Sequence, residues 1–323
     1  AGACKVRRMP GPTHPAAGPM PRWLGVLVLL AIAATFGANH VAARLAFDHG
    51  TSVSTAVAAR SIGTALFVLA LLRLSRVSLR IPGPTLRRGL LIGVLIAVQS
   101  YCLYSAVARI PVALALLAFN TFPIMLGLVS WLAGGERPAR RTLVAMPVAL
   151  LGLAIALDVA GVGNRAAGAA GATGASFAAM LPGVGFALGA SVCFGVALHL
   201  IGRWLPAIDG RLRTLMFMVV VAVVTIAAGA ATTGFHWPAN ATGWTGLTLL
   251  TVLYGTAITG LFVVLPRLGA VNNAAIMNFE PVAALGMAWA VLGQTVSAVQ
   301  LFGGAIVIGA IVYLSTGPRP GRG

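Results

Sequence analysis

The residue whose chemistry is hardest to explain by packing is Glu280, which lies in the apolar run IMNFEPVAAL at residues 276–285. The chain has 323 residues but only five Asp and Glu side chains. A carboxylate in an apolar environment is costly, so it usually becomes neutral, gains a partner or faces water. Glu280 is therefore interpreted as a group that binds a substrate amine, carries a proton, or fixes helix packing.

Arg60 is the second charged residue inside an apolar stretch, VSTAVAARSIGTALFVLALL. At the rise of a helix, Glu280 lies roughly 15 Å from one end of its stretch, and Arg60 lies roughly 10 Å from the opposite surface. Because these depths are similar, Arg60 is the expected ionic partner of Glu280. Two alternatives stay open: Arg60 holds a substrate carboxylate, or its side chain extends to the nearer surface.

Other polar residues in apolar stretches are candidates for lining a substrate cavity together with Glu280 and Arg60. They are Asn39, His40, Gln99, Tyr101, Tyr104, Asn120, Tyr254, Asn272, Asn273 and Asn278. The positions of Tyr101 and Tyr104 near the end of a stretch favour anchoring at the membrane surface, whereas Tyr254 and Asn120 are deep enough to favour the cavity. For His40, hydrogen-bonded packing is favoured over a titrating switch.

Two prolines inside apolar stretches, Pro123 and Pro281, are predicted hinges. Proline lacks the backbone N–H and so weakens a helix at its own position. We expect the chain to bend there when it changes conformation.

Several classes of protein are disfavoured by what the motifs lack. No phosphate-binding loop, nucleophile elbow or zinc-protease motif occurs, so no catalytic residue, metal or cofactor is predicted. Cys4, Cys102 and Cys193 have neither metal-site nor disulfide spacing. The net charge of +17 would fit a nucleic-acid partner, but the basic residues flank apolar stretches, so no nucleic acid is expected.

The elements that must position these side chains are membrane helices. The chain is 59% hydrophobic and 8% charged, far below the charge of a soluble domain. Ten stretches approach the roughly 20 apolar residues that cross a bilayer. They are 23–47, 53–72, 89–108, 111–133, 142–160, 182–205, 213–233, 244–265, 270–292 and 298–315. The predicted fold class is an all-α integral membrane protein.

The distribution of basic residues predicts the orientation. With the N-terminus in the cytoplasm, eighteen of the 22 Lys and Arg residues fall on the inner side. Only Arg44, Arg109 and Arg165 fall at or beyond the outer edge, and Arg60 is internal. Because positive loops stay inside, both termini are predicted to be cytoplasmic.

An internal repeat relates the two halves at an offset of 158 residues. The Phe36–Gly37 pair matches Phe194–Gly195, and the rarer residues Asn120, Pro123 and Trp131 match Asn278, Pro281 and Trp289. An odd number of spans per copy places the second copy upside down, which is typical of secondary transporters with a site between the halves.

The repeat divides the chain into five predicted parts. A basic cytoplasmic tail (1–22) precedes the first five-helix repeat (23–160), and a Gly/Ala-rich external linker (161–181) follows it. The second five-helix repeat (182–315) leads to a short cytoplasmic tail (316–323).

Four segments carry a resemblance to a known family: FGANHVAARLA, AARSIGTALFVLALL with its Arg60, YSAVARIPVALALLAFNTFPIMLGLVSWLAGGE and NFEPVAALGMAWAVLGQ. They resemble EamA-type repeats of the drug/metabolite transporter superfamily, in particular its bacterial ten-helix exporters. The resemblance implies a transporter whose third, fourth, eighth and ninth helices line the site. The second copy departs from the family by ending in Gly293–Gln294 instead of Gly–Glu.

The predicted function is a secondary carrier that exports or facilitates small metabolites, amino acids first, across the inner membrane. A multidrug, sugar-type or nucleotide-type carrier of the same fold is the alternative. A channel or intramembrane enzyme is less favoured, since a channel normally builds its pore from an oligomer. The expected partners are a small-molecule substrate, the lipid bilayer and a coupling proton, in a monomer or homodimer. Proton-coupled and facilitated transport both stay open.

Overall fold

The computed structural model describes residues 22–134, 144, 147–148, 151–152, 154–156, 177–206, 208–232, 234–268, 279–294 and 297–315. All the long regular elements in these ranges are α-helices. They are α1 (Arg22–Asp48), α2 (Val53–Leu74), α3 (Gly83–Arg109), α4 (Val112–Phe119), α5 (Phe122–Leu132), α6 (Phe177–Trp204), α7 (Gly210–Ala231), α8 (Ala241–Leu268), α9 (Glu280–Leu292) and α10 (Ala298–Ser315).

Local sequence explains several helix ends. The Ser52 hydroxyl accepts a hydrogen bond from the Thr55 backbone N–H, and the Asp209 carboxylate accepts one from the Arg211 N–H. These side chains therefore satisfy amide groups that a helix start leaves free. At the other end of α9, Gly293 has a φ of 63°, a conformation that suits glycine and stops the helix.

In the described part of the chain, six segments are long and apolar enough to cross a membrane. They are Leu27–Asp48, Val53–Leu74, Gly83–Arg109, Val112–Leu132, Ala178–Trp204 and Gly210–Ala231. Two shorter apolar helices, Glu280–Leu292 and Ala298–Ala310, follow in the second half. The chain is therefore an all-helical, multi-pass membrane protein. The total of ten spans and the cytoplasmic placement of both termini stay predictions.

The predicted fourth span, 111–133, is not one continuous helix. The structure divides it into α4 and α5, with a turn at Asn120 and Thr121. Pro123 lies in the first turn of α5, where its missing N–H needs no partner. In a continuous helix the same proline would have lost a hydrogen bond to Phe119, so the helix ends there.

The second half has a helix that starts at the equivalent position. α9 begins at Glu280, 158 residues after Phe122 at the start of α5, and Pro281 lies in its first turn. The stretch 269–278, which includes the first half of the predicted ninth span, lies outside the described residues. Glu280 is therefore at a helix start, although the sequence predicted a position in the middle of a helix.

Helices of the two halves pack in matching pairs. α1 packs against α8, α3 packs against α6 in the equivalent way, and α2 packs against its own counterpart α7. Likewise α1 packs against α9, and α6 packs against α5. Such reciprocal pairing is what two copies related by a two-fold axis produce, and it places the buried core between them.

Candidate functional site

Gly37 brings α1 close to the start of α9. A Cβ atom built on Gly37 would lie 2.9 Å from the Ala284 backbone nitrogen and 3.0 Å from the Glu280 carbonyl oxygen. Only a residue without a side chain fits at such a distance. Because His40 follows Gly37 by three residues, it lies on the same face of α1 and therefore meets Glu280.

His40 and Glu280 are in direct contact in this site, and the contact is an ion pair when the imidazole is protonated. The His40 Nε2 atom lies 3.3 Å from the Glu280 Oε1 atom, and their side chains are 6% and 14% exposed. Glu280 is also the first residue of α9, where the helix dipole favours negative charge. The carboxylate thus has two stabilising neighbours, while the other ring nitrogen of His40, Nδ1, is buried without a hydrogen-bond partner.

Arg60 is buried in α2, with 3% of its surface exposed. One of its terminal nitrogens donates to the Ser100 hydroxyl (3.0 Å), and the other donates to the Tyr104 hydroxyl (3.4 Å). The centre of the guanidinium lies 3.9 Å from the ring centroid of Tyr254 and 4.8 Å from that of Tyr104. Cation–π attraction from both rings therefore helps to hold the charge in place.

Tyr104 connects the two charged residues. Its hydroxyl donates to the Asn39 side-chain oxygen (3.2 Å) and accepts from the Asn39 side-chain nitrogen (3.0 Å). The centroid of its ring lies 5.5 Å from that of His40. Since Tyr104 is fully buried, the prediction that it anchors the chain at the membrane surface is wrong.

The predicted ion pair between Arg60 and Glu280 is also wrong. The structure pairs Glu280 with His40 and gives Arg60 neutral oxygens and aromatic rings instead. The pair was predicted because Arg60 and Glu280 have similar depths in the membrane. In the structure α1 approaches α9 closely at Gly37, and His40 therefore lies next to the Glu280 carboxyl group.

Arg60 has no carboxylate partner in the described part of the chain. Of the five acidic residues, three lie in that part: Asp48 pairs with Arg44, Asp209 with Arg211, and Glu280 with His40. The Nε atom of Arg60 is buried without a hydrogen-bond partner. Such a group is costly unless something else pairs with it.

The other predicted residues are distributed around this cluster or away from it. Gln99 is buried, and its oxygen accepts a bond from Ser100 (3.4 Å). Asn120 is buried, but its side-chain nitrogen donates to the Leu116 carbonyl oxygen at the end of α4 (2.8 Å). Tyr101 is half-buried on α3 outside the cluster. Asn272, Asn273 and Asn278 lie outside the described residues.

The helices that supply the cluster differ from the expected set. The polar groups come from α1, α2, α3, α8 and α9, so the first two helices contribute more than the resemblance implied and the fourth span contributes none. Sequence reasoning also missed Ser100. The signal was available, since Ser100 lies one turn before Tyr104 and therefore on the same face of α3.

The departure at the end of the second copy has a structural explanation. The Gln294 side-chain oxygen accepts a hydrogen bond from the Val112 backbone nitrogen (3.3 Å). The end of α9 therefore caps the start of α4, which belongs to the other repeat. A neutral amide oxygen is sufficient for that contact.

An apolar cavity of about 210 Å³ lies between α4, α9 and α10. Leucine and other aliphatic side chains line it, and Gln300 is its polar contact. No charged residue is among its described lining residues, so this cavity does not explain the buried charge of Arg60.

The EamA-like transporter family matches this chain twice, at residues 23–157 and at residues 181–316. The two matches cover most of the 323 residues. This chain belongs to the EamA-like transporter family. The resemblance inferred from the FGANH and NFEP segments is thereby confirmed, and the two-repeat architecture of this EamA-like transporter agrees with the reciprocal helix pairs.

One solved crystal structure of another protein has a similar fold. It is 18% identical, with a TM-score of 0.60, and the match covers 91% of this chain and 98% of that chain. At this identity the likeness shows the fold alone. None of the curated proteins matches the chain significantly.

Proposed function

We propose that this EamA-like transporter is a secondary carrier of small zwitterionic metabolites, amino acids first, in the inner membrane. The observation that carries the proposal is a pair of ionisable side chains inside the helical assembly, the buried basic Arg60 and the partly buried acidic Glu280, on helices of different repeats. Charged groups inside a membrane protein are costly and usually mark a substrate or ion pathway. A zwitterion carries one group for each of these charges.

The proposed mechanism is alternating access. The two repeats would open the cluster first to one side of the membrane and then to the other, with both termini in the cytoplasm. α5 and α9 begin at equivalent positions of the repeats, just before Pro123 and Pro281, which supports the role of these prolines as hinges. No step needs ATP, because the solute gradient or a proton gradient supplies the driving force.

Counterflow in proteoliposomes tests this function. Purified protein is reconstituted with an internal pool of unlabelled amino acids, and uptake of the labelled compound is measured with and without a pH gradient. Exchange above that of protein-free liposomes supports a carrier. Absence of exchange for every amino acid, with exchange of a drug, sugar or nucleotide, would move the substrate to that class.

The Glu280→Gln variant separates the roles of this carboxylate. If Glu280 carries the coupling proton, exchange follows the pH gradient in the wild type and ignores it in Glu280→Gln. If Glu280 binds the substrate amine, the variant instead loses affinity at every pH. Wild-type rates and coupling in the variant would leave Glu280 with a structural role only.

A further inference from the structure

We propose that Arg60 is the group that binds the substrate carboxylate, and that the site accepts one carboxylate only. The preferred ligand is then a zwitterionic monocarboxylate instead of a dicarboxylate or a phosphate ester. This inference rests on the proposed function, since it assigns the ligand chemistry of the same site.

The unpaired charge of Arg60 is the first argument. Among the described residues, Arg60 is the one Lys or Arg that is buried, and the three acidic residues described there have other partners. Its Nε–H has no acceptor among the described residues, and its hydrogen bonds go to neutral hydroxyl groups. A carboxylate is the ligand that would compensate both the charge and the free donor.

The geometry of Arg60 is the second argument. Tyr254 covers one face of the guanidinium at 3.9 Å, and Tyr104 lies 4.8 Å away. Because aromatic rings lie against the Arg60 guanidinium, its N–H donors are available to a ligand that approaches in the plane of the guanidinium, at its edge. That is the direction from which a planar carboxylate makes two parallel hydrogen bonds.

The asymmetry of the repeats limits the number of charges. The 158-residue offset relates Arg60 to Met218, His40 to Leu198 and Glu280 to Phe122. The charged half of the site therefore has an apolar counterpart, and a second buried arginine is absent from the described residues. A dicarboxylate would bring a second anion for which the described residues offer no second buried arginine.

Binding to the purified full chain in detergent tests the proposal independently of transport. The probes are two matched sets: L-phenylalanine, 3-phenylpropionate and 2-phenylethylamine, and L-leucine, 4-methylpentanoate and 3-methylbutylamine. Succinate and glycerol 3-phosphate represent dianions. The measurement is the dissociation constant, from ligand-dependent shifts in the unfolding temperature and from competition against the labelled amino acid.

We expect the amino acid and its matched acid to bind, and the matched amine and both dianions to bind at least about tenfold more weakly. Arg60→Gln should weaken the acid by about tenfold or more and leave the amine unchanged. Arg60→Lys should recover part of the loss, since it restores the charge without the two-pronged geometry. Arg87→Gln, at an exposed arginine of α3, is the matched control and should bind like the wild type.

Glu136 and Asp158 are the two acidic residues outside the described part of the chain. Four outcomes would overturn the proposal: acids that bind Arg60→Gln as tightly as the wild type, amines or dianions that bind the wild type as tightly as acids, no binding by any probe, or tighter acid binding in Glu136→Gln or Asp158→Asn than in the wild type. The last would mean that a carboxylate of the chain itself pairs with Arg60. Carboxylate binding without counterflow would contradict the proposed function alone. Counterflow of amines that ignores Arg60 would contradict this inference alone.

Discussion

At the residue scale, one hydroxyl group holds the candidate site together. The Tyr104 hydroxyl forms hydrogen bonds with the side-chain oxygen and nitrogen of Asn39, and it accepts one from Arg60. All three residues are buried. Removing one member of a buried network leaves the others without partners, and that costs more than the lost bond itself. The position of Arg60 therefore depends on a residue that carries no charge.

The Tyr104→Phe variant should be less stable than the wild type by about 1–3 kcal/mol, because the Asn39 amide and one Arg60 nitrogen lose their buried partner. The unfolding temperature of the purified protein measures this change. Tyr101→Phe is the matched control, since Tyr101 lies half-buried on the same helix outside the cluster. Equal unfolding temperatures for the two variants would contradict the role given to the Tyr104 hydroxyl.

Asp209, which caps α7 outside the membrane-spanning segments, predicts a dependence of stability on pH. Hydrogen bonds from Arg211, chiefly from its side chain, lower the pKa of the Asp209 carboxyl below its ordinary value. A lowered pKa in the folded state means that the ionised group stabilises the fold above the unfolded value of about 3.9. This contribution is lost as the pH falls through the folded pKa.

We therefore expect the wild type to lose more stability than Asp209→Asn between about pH 5 and pH 2. Asn keeps the capping ability but has no charge to lose. Asp209→Ala should be less stable than both at neutral pH, by about 0.5–2 kcal/mol. Unfolding temperatures measured across this pH range provide the test, and parallel curves for the wild type and Asp209→Asn would refute it.

At the element scale, two glycines set how closely the repeats approach each other. Gly37 on α1 meets the backbone of Ala284 on α9, and its repeat equivalent Gly195 on α6 meets Leu126 on α5. A Cβ built on Gly195 would lie 2.9 Å from the Leu126 nitrogen, the same distance as at Gly37. The two glycines that the repeat aligns therefore make equivalent helix-to-helix contacts, each with a helix of the other repeat.

Gly37→Ala and Gly195→Ala should each destabilise the protein by about 1–3 kcal/mol, because backbone atoms cannot move aside as side chains can. Gly286→Ala on α9 and Gly185→Ala on α6 are the controls, since a Cβ there meets no atom within 4 Å. In open helix positions this change is neutral or stabilising by up to about 1 kcal/mol. Opposite signs in the two pairs are expected, and a common sign would contradict the argument.

The helix starts next to two prolines show how far sequence predicts elements. Pro123 and Pro281 marked the weak points of two spans, and described helices begin just before each of them. The sequence still favoured unbroken spans, because both flanks are apolar and apolar length is the dominant signal for a membrane helix. The consequence for Glu280 is large, because a helix start favours a carboxylate and a helix centre does not.

At the scale of the whole molecule, orientation is the property that connects the site to a direction of transport. The arginine-rich segment between α2 and α3 is predicted to be cytoplasmic, and the segment between α7 and α8, which has no Lys or Arg between its helices, is predicted to be external. The stacked pair Trp237 and Trp244, 5.7 Å between ring centroids, lies at the latter end. Such amphipathic rings are common at membrane surfaces.

Single cysteines at exposed positions test this orientation. With the native cysteines replaced, Thr242→Cys should react with a membrane-impermeant maleimide added to intact cells, and Ser78→Cys should react only after the membrane is opened. Both positions are exposed near helix ends, so access to the reagent is comparable. The reverse pattern would place the termini outside and invert the proposed direction of each opening.

Sequence alone determined the class of this protein: a helical multi-pass membrane protein, two repeats, and membership of the EamA-like transporter family. These properties depend on the lengths of apolar runs and on motifs along the chain, which can be read without knowing which helices touch. The sequence also singled out Arg60, His40, Tyr104, Tyr254 and Glu280 as candidates. Only the tertiary structure decided their pairing, placing His40 on Glu280 and leaving Arg60 between two tyrosines. The physical reason is that residue counting gives depth in a membrane, whereas rotation about each helix and the close approach at Gly37 decide which side chains meet.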